Sequence, residues 1–188
     1  QYQVEIIVVD NASEDESVSY LNKDFKWVRV LESGKNGGFS FGNNVGLRAS
    51  QGRYVMLLNS DTEFLPEKSN LDRAIAYLDQ QPKIAVLGPR LELSNGQLDP
   101  VSHRGEPTLW ASFTYFSKLE KLFPHKKFFA QYHLGHLDLE QIHPVDAVSG
   151  AAMIVRQSAI KKVGLFDEDF FMYAEDLDWC RRFRDAGY

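Results

Sequence analysis

VEIIVVDNAS, at residues 4–13, is a short apolar run that ends abruptly in Asp10 and other polar side chains. YVMLLNSDT, at residues 54–62, has the same form and delivers Asp61. Continuous apolar runs of this length are typical of strands buried on both faces, as in a parallel sheet covered by helices. In such sheets ligands bind beyond the carboxyl ends of the strands. The two runs therefore predict an α/β protein with one polar site that contains Asp10 and Asp61.

The remaining elements alternate between strand and helix. We predict further strands at 27–31, 84–88 and 151–155, and helices at 14–23, 39–50, 71–80, 158–163 and 175–186. Ser13 and Glu16 fit a capping box for the first helix. The alternation favours a mostly parallel sheet flanked by helices. The stretch 91–144 lacks the pattern, holds all five histidines, and is expected to carry short helices and a function of its own.

Composition sets the class of protein. With 188 residues, 44% of them hydrophobic, the chain can bury one core, so a single domain is expected. A net charge of −5 argues against nucleic acid as a partner. The single cysteine, Cys180, excludes an internal disulfide and favours a reducing compartment such as the cytoplasm. No apolar run approaches the roughly 20 residues that span a bilayer.

Two strand ends carry candidate ligands. Asn59-Ser60-Asp61 can hold Mg²⁺ or Mn²⁺, because these hard cations take few protein oxygens and complete their shell with phosphate and water. The same residues also fit an ordinary capped turn. Asp10-Asn11 can accept a hydrogen bond from the imide of a uracil or thymine base, or can simply cap the segment that follows.

A run rich in glycine and asparagine, NGGFSFGNN at 36–44, allows close backbone approach to a ligand. Amides exposed at a helix start would favour an anion there. A flexible loop followed by a helix explains the run equally well.

The strongest single segment is FFMYAEDLDWCRR at 170–182, in which Glu175 and Asp176 open a helix after an aromatic run. The helix dipole alone can account for acids at this position. An aromatic wall of Phe170, Phe171 and Tyr173 would also desolvate and tune a general base. Asp178 and Arg182 are spaced to form an ion pair, and Cys180 is expected in the core.

His133 and His136 could suggest a metal pair, but no further ligands complete a zinc site.

Taken in order, five motifs resemble those of the inverting family 2 glycosyltransferases with the GT-A fold, and most closely their rhamnosyltransferase-like branch. They are Val8–Ser13, Asn36-x-Gly38-Phe39-x-x-Gly42-Asn43-Asn44-x-Gly46, Leu57–Thr62, Ser149–Met153, and Gly164–Glu168 through Tyr173-x-Glu175-Asp176-x-Asp178-x-Cys180. The resemblance covers nearly the whole chain except 91–144.

The resemblance implies a GT-A-type nucleotide-diphospho-sugar transferase fold and assigns roles by motif. Asp10 contacts the base, and Asp61 is the main metal ligand in an Asp-x-Asp-like element whose first acid is Asn59. Asp176 is the catalytic base, with Glu175 beside it. The nucleotide-binding set is Asp10, Asn11, Asn36, Gly38, Asn43 and Asn59, and the acceptor and sugar side is Ser149, Gly150, Ala151 and Tyr173.

It also implies that residues 1–188 are one incomplete catalytic domain, cut at both ends. Residues 1–90 form the nucleotide- and metal-binding half, and 91–188 form the acceptor-side half with an insertion at about 95–144. An opening strand that is missing here would lie between 4–9 and 54–58. We therefore expect those two strands about 9–10 Å apart, twice the usual spacing, without direct pairing.

The implied reaction is metal-dependent, inverting transfer of a sugar from dTDP-rhamnose or a UDP-sugar to a hydroxyl of a growing cell-envelope glycan or lipid-linked acceptor. A nucleotidyltransferase and a non-catalytic sugar-nucleotide or carbohydrate-binding module are the alternatives. Trp110 to Tyr132 interleaves aromatic and lysine side chains, which suits peripheral contact with the inner face of a membrane. An ordinary helical cover over the sheet explains that stretch equally well.

Overall fold

The computed structural model describes residues 2–65, 70–138 and 140–188. Its strands are β1 (Ile7–Asp10), β2 (Arg29–Glu32), β3 (Tyr54–Leu58), β4 (Val86–Leu87), β5 (His103–Arg104), β6 (Ala147–Val148) and β7 (Ala152–Arg156). Its helices are α1 (Ser17–Asp24), α2 (Gly38–Ala49), α3 (Leu71–Gln80), α4 (Leu109–Phe116), α5 (Leu119–Leu122), α6 (Gln157–Val163) and α7 (Glu175–Asp185).

The strands form three small sheets, and the α/β class is confirmed. β1 pairs with β2 in parallel, as predicted. β7 lies between β3 and β4 and runs antiparallel to both, so the prediction of a mostly parallel sheet is wrong for these strands, because local sequence patterns do not specify strand direction. Ala152 at the start of β7 is opposite Leu58 at the end of β3. The chain therefore enters β7 at the same edge at which β3 delivers its polar residues.

Burial distinguishes β7 from β1, although both are apolar runs in the sequence. β7 is buried along four of its five residues, with Met153 and Val155 fully inaccessible. β1 is only half-buried, and Val4 and Ile6 before it are 75% and 41% exposed. In the described residues β1 and β3 each have one strand neighbour and no ladder joins them. Their predicted separation of about 9–10 Å remains a prediction.

The capping box predicted for the first helix is wrong. α1 begins at Ser17, and its N-cap Glu16 makes no side-chain capping bond. The Ser13 N–H instead donates to both carboxylate oxygens of Asp10 at 3.2 Å. A turn stabilised by Asp10 thus replaces the start of the helix, because a strand-end aspartate competes for the same backbone donors.

The core lies between β7 and the two helices that follow it. Trp179 of α7 is fully buried, with its ring 4.1 Å from that of Phe166 and 5.0 Å from that of Phe183. The stretch 91–144 holds β5, α4 and α5, in agreement with the expected short helices. β5 pairs with β6 and so connects this stretch to α7.

Candidate active site

The start of α7 is held in an unusual backbone conformation. Tyr173 and Ala174 have φ values of 72° and 69°, two consecutive non-glycine residues in the left-handed region. Such residues each cost energy and persist only where the surroundings fix them, as they often do at functional sites. The turn places the next two side chains, Glu175 and Asp176, inside the protein at 6% and 8% exposure.

Asp176 is fixed by two donors that come from distant parts of the chain. Its Oδ2 accepts hydrogen bonds from Nη2 of Arg104 and, at 3.1 Å, from the N–H of Gly150. Burial lowers the pKa of Arg104, but the charge and hydrogen bond of Asp176, followed by Tyr132, outweigh it and the net direction is upward. The sequence prediction missed Arg104, whose two-residue strand has no readable periodicity.

Glu175 differs from its neighbour in that one oxygen of its carboxyl, the buried Oε2, has no hydrogen-bond partner among the described residues. Burial, reinforced by the charge of Asp176, raises the pKa of Glu175 against the opposing effects of its own backbone N–H and Arg104. The two adjacent carboxyls are thus in different environments, one tightly paired and the other desolvated.

Two of the three residues of the predicted aromatic wall are exposed. Phe171 and Tyr173 are 56% and 80% exposed, whereas Phe170 is half-buried. Arg104 and Gly150 lie against Asp176. A Cβ at Gly150 would lie 3.8 Å from Cβ of Asp176 and 3.0 Å from the ring of Phe39.

The structure brings three of the predicted nucleotide-binding residues together. The Asn11 side-chain amide donates to Oδ1 of Asn36 at 3.2 Å and to the carbonyl of Gly38 at 3.1 Å. Its oxygen accepts from the N–H of Gly37 at 3.2 Å. The end of β1 therefore positions the loop that opens α2.

That loop also contacts the segment before α7. Gly38 has a φ of +83°, and a Cβ there would lie 2.2 Å from the carbonyl oxygen of Phe171. The same oxygen accepts a hydrogen bond from the N–H of Phe39 at 2.7 Å. The loop that opens α2 and the segment before α7 are thus in direct contact, which requires glycine at position 38.

Asn43 and Asp10, two of the predicted nucleotide-binding residues, form hydrogen bonds within the protein. The Asn43 amide donates to the carbonyl of Phe39 at 2.9 Å, one turn earlier in the same helix. Asp10 accepts from Ser13, as described above, which leaves its half-exposed carboxylate at the sheet edge.

Hydrogen bonds through residues 149–151 also connect the end of β3 to the start of α7. The N–H of Asn59 donates to the carbonyl of Ala151 at 2.9 Å, and Ser149 Oγ accepts from the N–H of Ala151 at 3.2 Å. Gly150, between those two residues, contacts Asp176. The predicted sugar-side residues Ser149, Gly150 and Ala151 therefore connect the strand that bears Asp61 to α7.

Asp61 itself is exposed. Across residues 2–65, 70–138 and 140–188, no group of three His, Cys, Asp or Glu side chains could hold a metal ion by itself. One exposed carboxylate fits Mg²⁺ or Mn²⁺ bound together with a diphosphate, since these cations use one or two carboxylates and take their other ligands from phosphate and water.

Other predictions are settled by direct contacts. Nε of Arg182 donates to Asp178 at 2.7 Å, which confirms that pair. Cys180 is buried, as predicted, and burial raises its pKa to about 11, so it is inert. His133 contacts Glu120 at 3.2 Å, and His136 contacts the carbonyl of Ala130 at 3.2 Å.

A cavity of about 240 Å³ adjoins the start of α7. Its lining combines apolar residues with charged ones from 106–146 and α7, including Glu106, Asp146, Phe170, Ala174, Leu177 and Arg184. Ala174 and Leu177 precede and follow the two acids in the chain, so the cavity lies against the first turn of α7.

Comparison with solved structures identifies the fold. A mannosyltransferase from Pyrobaculum calidifontis, in complex with GDP-Man and Mn²⁺, superposes with a TM-score of 0.61 at 17% identity, over 98% of this chain and 44% of that one. S. aureus TarS in complex with UDP gives 0.57 at 22% identity, over 94% of this chain and 44% of that one. The fold is therefore that of the GT-A glycosyltransferases.

Comparison with curated sequences gives relatives of the same kind. A low-salt glycan biosynthesis hexosyltransferase of Haloferax volcanii is 29% identical over 96% of this chain and 53% of its own length. An N-acetylglucosaminyl-diphospho-decaprenol L-rhamnosyltransferase of Mycobacterium tuberculosis is 28% identical over 98% of this chain and 62% of its own. The chain thus spans between about half and three-fifths of the length of these relatives.

A family description, Glycosyl transferase family 2, matches residues 1–163, which include every element from β1 to α6. The match ends before α7, so it does not include Glu175 and Asp176, and their place in the candidate site depends on the contacts described above. Because the match covers most of the chain, this protein is a member of glycosyltransferase family 2.

Proposed function

We propose that the chain is the catalytic part of a metal-dependent, inverting glycosyltransferase. The donor would be a nucleotide diphosphate sugar, dTDP-rhamnose or a UDP-sugar, and the acceptor a hydroxyl of a growing cell-envelope glycan or of a lipid-linked sugar. The observation that carries the proposal is the buried pair Glu175 and Asp176, held beside a loop that suits a nucleotide.

Asp176 is the proposed base. Arg104 and Gly150 both bond its Oδ2, whereas Oδ1 accepts only from the N–H of Leu177, at 2.8 Å, within the described residues. Oδ1 is therefore the oxygen that would take the acceptor proton as the hydroxyl attacks the anomeric carbon. A positioned general base typically contributes about 10²–10⁴-fold to the rate. Arg104 fixes the orientation of the carboxylate without occupying both oxygens.

Glu175 has a different proposed role. Burial and the charge of Asp176 raise the pKa of Glu175, so a negative charge on this carboxyl becomes more favourable when positive charge develops nearby. Glycosyl transfer passes through a transition state with oxocarbenium character. Glu175 would therefore stabilise the sugar electrostatically, and the reaction would relieve its unfavourable burial.

The donor would lie across the edge formed by β1, α2 and β3. Asp10 and Asn11 would face the base, and Asn36, Gly38, Asn43 and Asn59 would line the sugar nucleotide. Asp61 would hold Mg²⁺ or Mn²⁺, which when bound supplies positive charge to the leaving diphosphate. The Mn²⁺ and nucleotide ligands named for the solved relatives support this arrangement.

The acceptor would approach from the other half. Residues 1–90 would handle the nucleotide and metal and 91–188 the acceptor, with Ser149, Gly150, Ala151 and Tyr173 on the sugar side. The cavity at the start of α7, lined by Ala174 and Leu177, would receive the acceptor. The decaprenol-linked substrate named for a relative supports an acceptor at the inner face of a membrane, and the single thiol supports a cytoplasmic location. No helix of the described residues is long and apolar enough to cross a bilayer.

The Asp176→Asn variant tests the proposal. It nearly preserves shape while removing basicity, so turnover of a UDP- or dTDP-sugar should fall at least 10²-fold, with donor affinity changed less than about threefold. Asp185→Asn, at the exposed end of the same helix, is the matched control. Normal transfer by Asp176→Asn would reject the base assignment.

The same assay separates the alternatives. A nucleotidyltransferase would release pyrophosphate from a nucleoside triphosphate instead of transferring a sugar. A binding module would retain nucleotide or sugar and turn over neither.

A further inference from the structure

Helix α4 has one buried and one strongly exposed apolar face. Ala111 and Thr114 are fully buried. Leu109, Phe113 and Phe116, spaced i, i+4 and i+7 on one face, are 94%, 54% and 79% exposed. An ordinary covering helix has the opposite arrangement, with polar residues outward.

The segment after α4 extends the exposed apolar surface. Leu122 is 70% exposed and Phe128 is 61% exposed. These side chains are presented by a packed cluster, because Nε1 of Trp110 donates to the carbonyl of Phe128 at 2.8 Å and the two rings lie 4.8 Å apart. Phe123 stacks on Phe129 at 5.0 Å. We name the exposed side of residues 109–128 the aromatic–lysine surface.

The charges on this surface are all of one sign. Residues 109–128 contain four lysines, all exposed, Lys118, Lys121, Lys126 and Lys127. Their one acid, Glu120, is buried at 6% and accepts a hydrogen bond from the N–H of His133 at 2.9 Å. The chain as a whole carries a net charge of −5, so this cationic surface stands out from an acidic protein.

We propose that the aromatic–lysine surface docks on an anionic lipid bilayer. An apolar helix face enters the boundary between headgroups and acyl chains, while neighbouring lysines extend to lipid phosphates. Each lysine near an anionic leaflet strengthens binding. The inference rests on the proposed function in one respect, since it explains how a lipid-linked acceptor would be reached.

A second copy of the chain fits this surface less well. A two-fold contact would bring the same four lysines against one another, which charge repulsion disfavours. Anionic headgroups complement both the lysines and the apolar side chains.

The surface is also connected to the proposed base. Leu109 follows Arg104, which holds Asp176, by five positions. Between them, Glu106 forms an ion pair with Arg184 of α7 at 3.1 Å. Docking through α4 would thus place the cavity beside α7 near the bilayer.

Vesicle flotation tests the proposal without any donor or acceptor. The protein should float with phosphatidylcholine vesicles that contain phosphatidylglycerol and much less with phosphatidylcholine alone. Phe113→Ser with Phe116→Ser should reduce the bound fraction at least about tenfold, because both exposed rings enter the lipid. Lys126→Gln with Lys127→Gln should weaken binding by about fivefold per lysine at low salt.

Matched controls are Trp27→Ser, which removes a ring 68% exposed elsewhere, and Lys83→Gln with Lys161→Gln, which removes the same charge. Both should float like the unaltered protein, and thermal unfolding should confirm that all variants fold. Equal flotation of the surface variants and their controls would overturn the proposal. A dimer in sedimentation that Phe113→Ser with Phe116→Ser dissolves would assign the surface to a second copy instead. Since flotation needs no turnover, an inactive protein that still floats would reject the transferase proposal alone.

Discussion

Arg104 shows how one residue can stabilise the fold and orient the proposed base. Its guanidinium and the Asp176 carboxylate are 10% and 11% exposed, so neither is well solvated. Arg104→Met would leave Asp176 buried without its counterion, and we expect a loss of roughly 3–5 kcal/mol in the free energy of unfolding. Arg104→Lys keeps the charge but lacks the planar fork, so the loss should be smaller. Urea unfolding measures both.

The control for this prediction is Arg48→Met. Arg48 pairs with Glu168 at 2.9 Å, but the two side chains are 54% and 40% exposed. Water and salt screen such a pair, so its loss should cost about 0–1 kcal/mol. Equal losses for Arg48→Met and Arg104→Met would show that the buried pair has no special role.

A second prediction at the scale of single residues concerns Asp61. As the proposed metal ligand at the end of β3, it should be needed for metal-dependent donor binding. Asp61→Ala should abolish the difference in UDP-sugar affinity with and without Mn²⁺, measured by calorimetry. Asp24→Ala, which removes another exposed carboxylate at the end of α1, should leave that difference intact. Unchanged metal dependence in Asp61→Ala would remove Asp61 from the site.

Among the elements, the start of α2 is the most constrained. Gly38 combines a positive φ with a carbonyl 2.2 Å from where a Cβ would lie, so Gly38→Ala must displace the Phe171 segment. We expect a loss of more than about 2 kcal/mol in stability together with weaker donor binding.

Gly34→Ala separates the two causes of that loss. Gly34 has a similar φ of +76°, but no atom lies within 4 Å of its missing Cβ. It should therefore cost only the backbone strain, about 1 kcal/mol. If the two variants unfold at the same denaturant concentration, the contact between α2 and Phe171 contributes nothing.

Element boundaries were predictable from sequence where apolar periodicity was long. α3, β3 and α7 lie within one residue of their predicted ends. β5 and β6, two residues each, were not predicted, because a pair of residues has no period. The same limit hid Arg104, which meets Asp176 across 72 positions of sequence. The acids themselves were predictable, because they open a helix after an apolar run.

At the scale of the whole molecule, one buried residue shows how α2 is fastened to the second half of the chain. Asn44 is 1% exposed, donates to the carbonyl of Phe166 at 2.9 Å and accepts from the N–H of the same residue at 3.0 Å. The prediction included Asn44 only as part of the Asn–Gly run. Its role depends on a partner 122 positions away, which no local pattern specifies. The residues that join the two halves were thus the least predictable.

Three histidines of the stretch 91–144, His103, His133 and His143, influence one another, and stability should therefore depend on pH. Burial, then the charges of His143 and His133, lower the pKa of His103, while Asp99 acts in the opposite direction. The unfolded chain takes up this proton near the ordinary value of 6.5, and the folded chain only at lower pH. The contribution of His103 is thus fully present above pH 6.5, declines below it, and is lost as the pH falls through the folded value.

His103→Gln should therefore reduce the loss of stability between about pH 7.5 and about pH 5.5, measured as the shift in the urea midpoint. Glu175 has the opposite sign, since a raised pKa favours the folded state below the ordinary carboxyl value and loses that benefit as the pH rises through the folded one. It cannot account for a decline on acidification. His125→Gln, which alters an exposed ring, is the matched control. If His103→Gln and His125→Gln lose the same stability on acidification as the unaltered protein, the cluster around His103 does not set the acid limit of this fold.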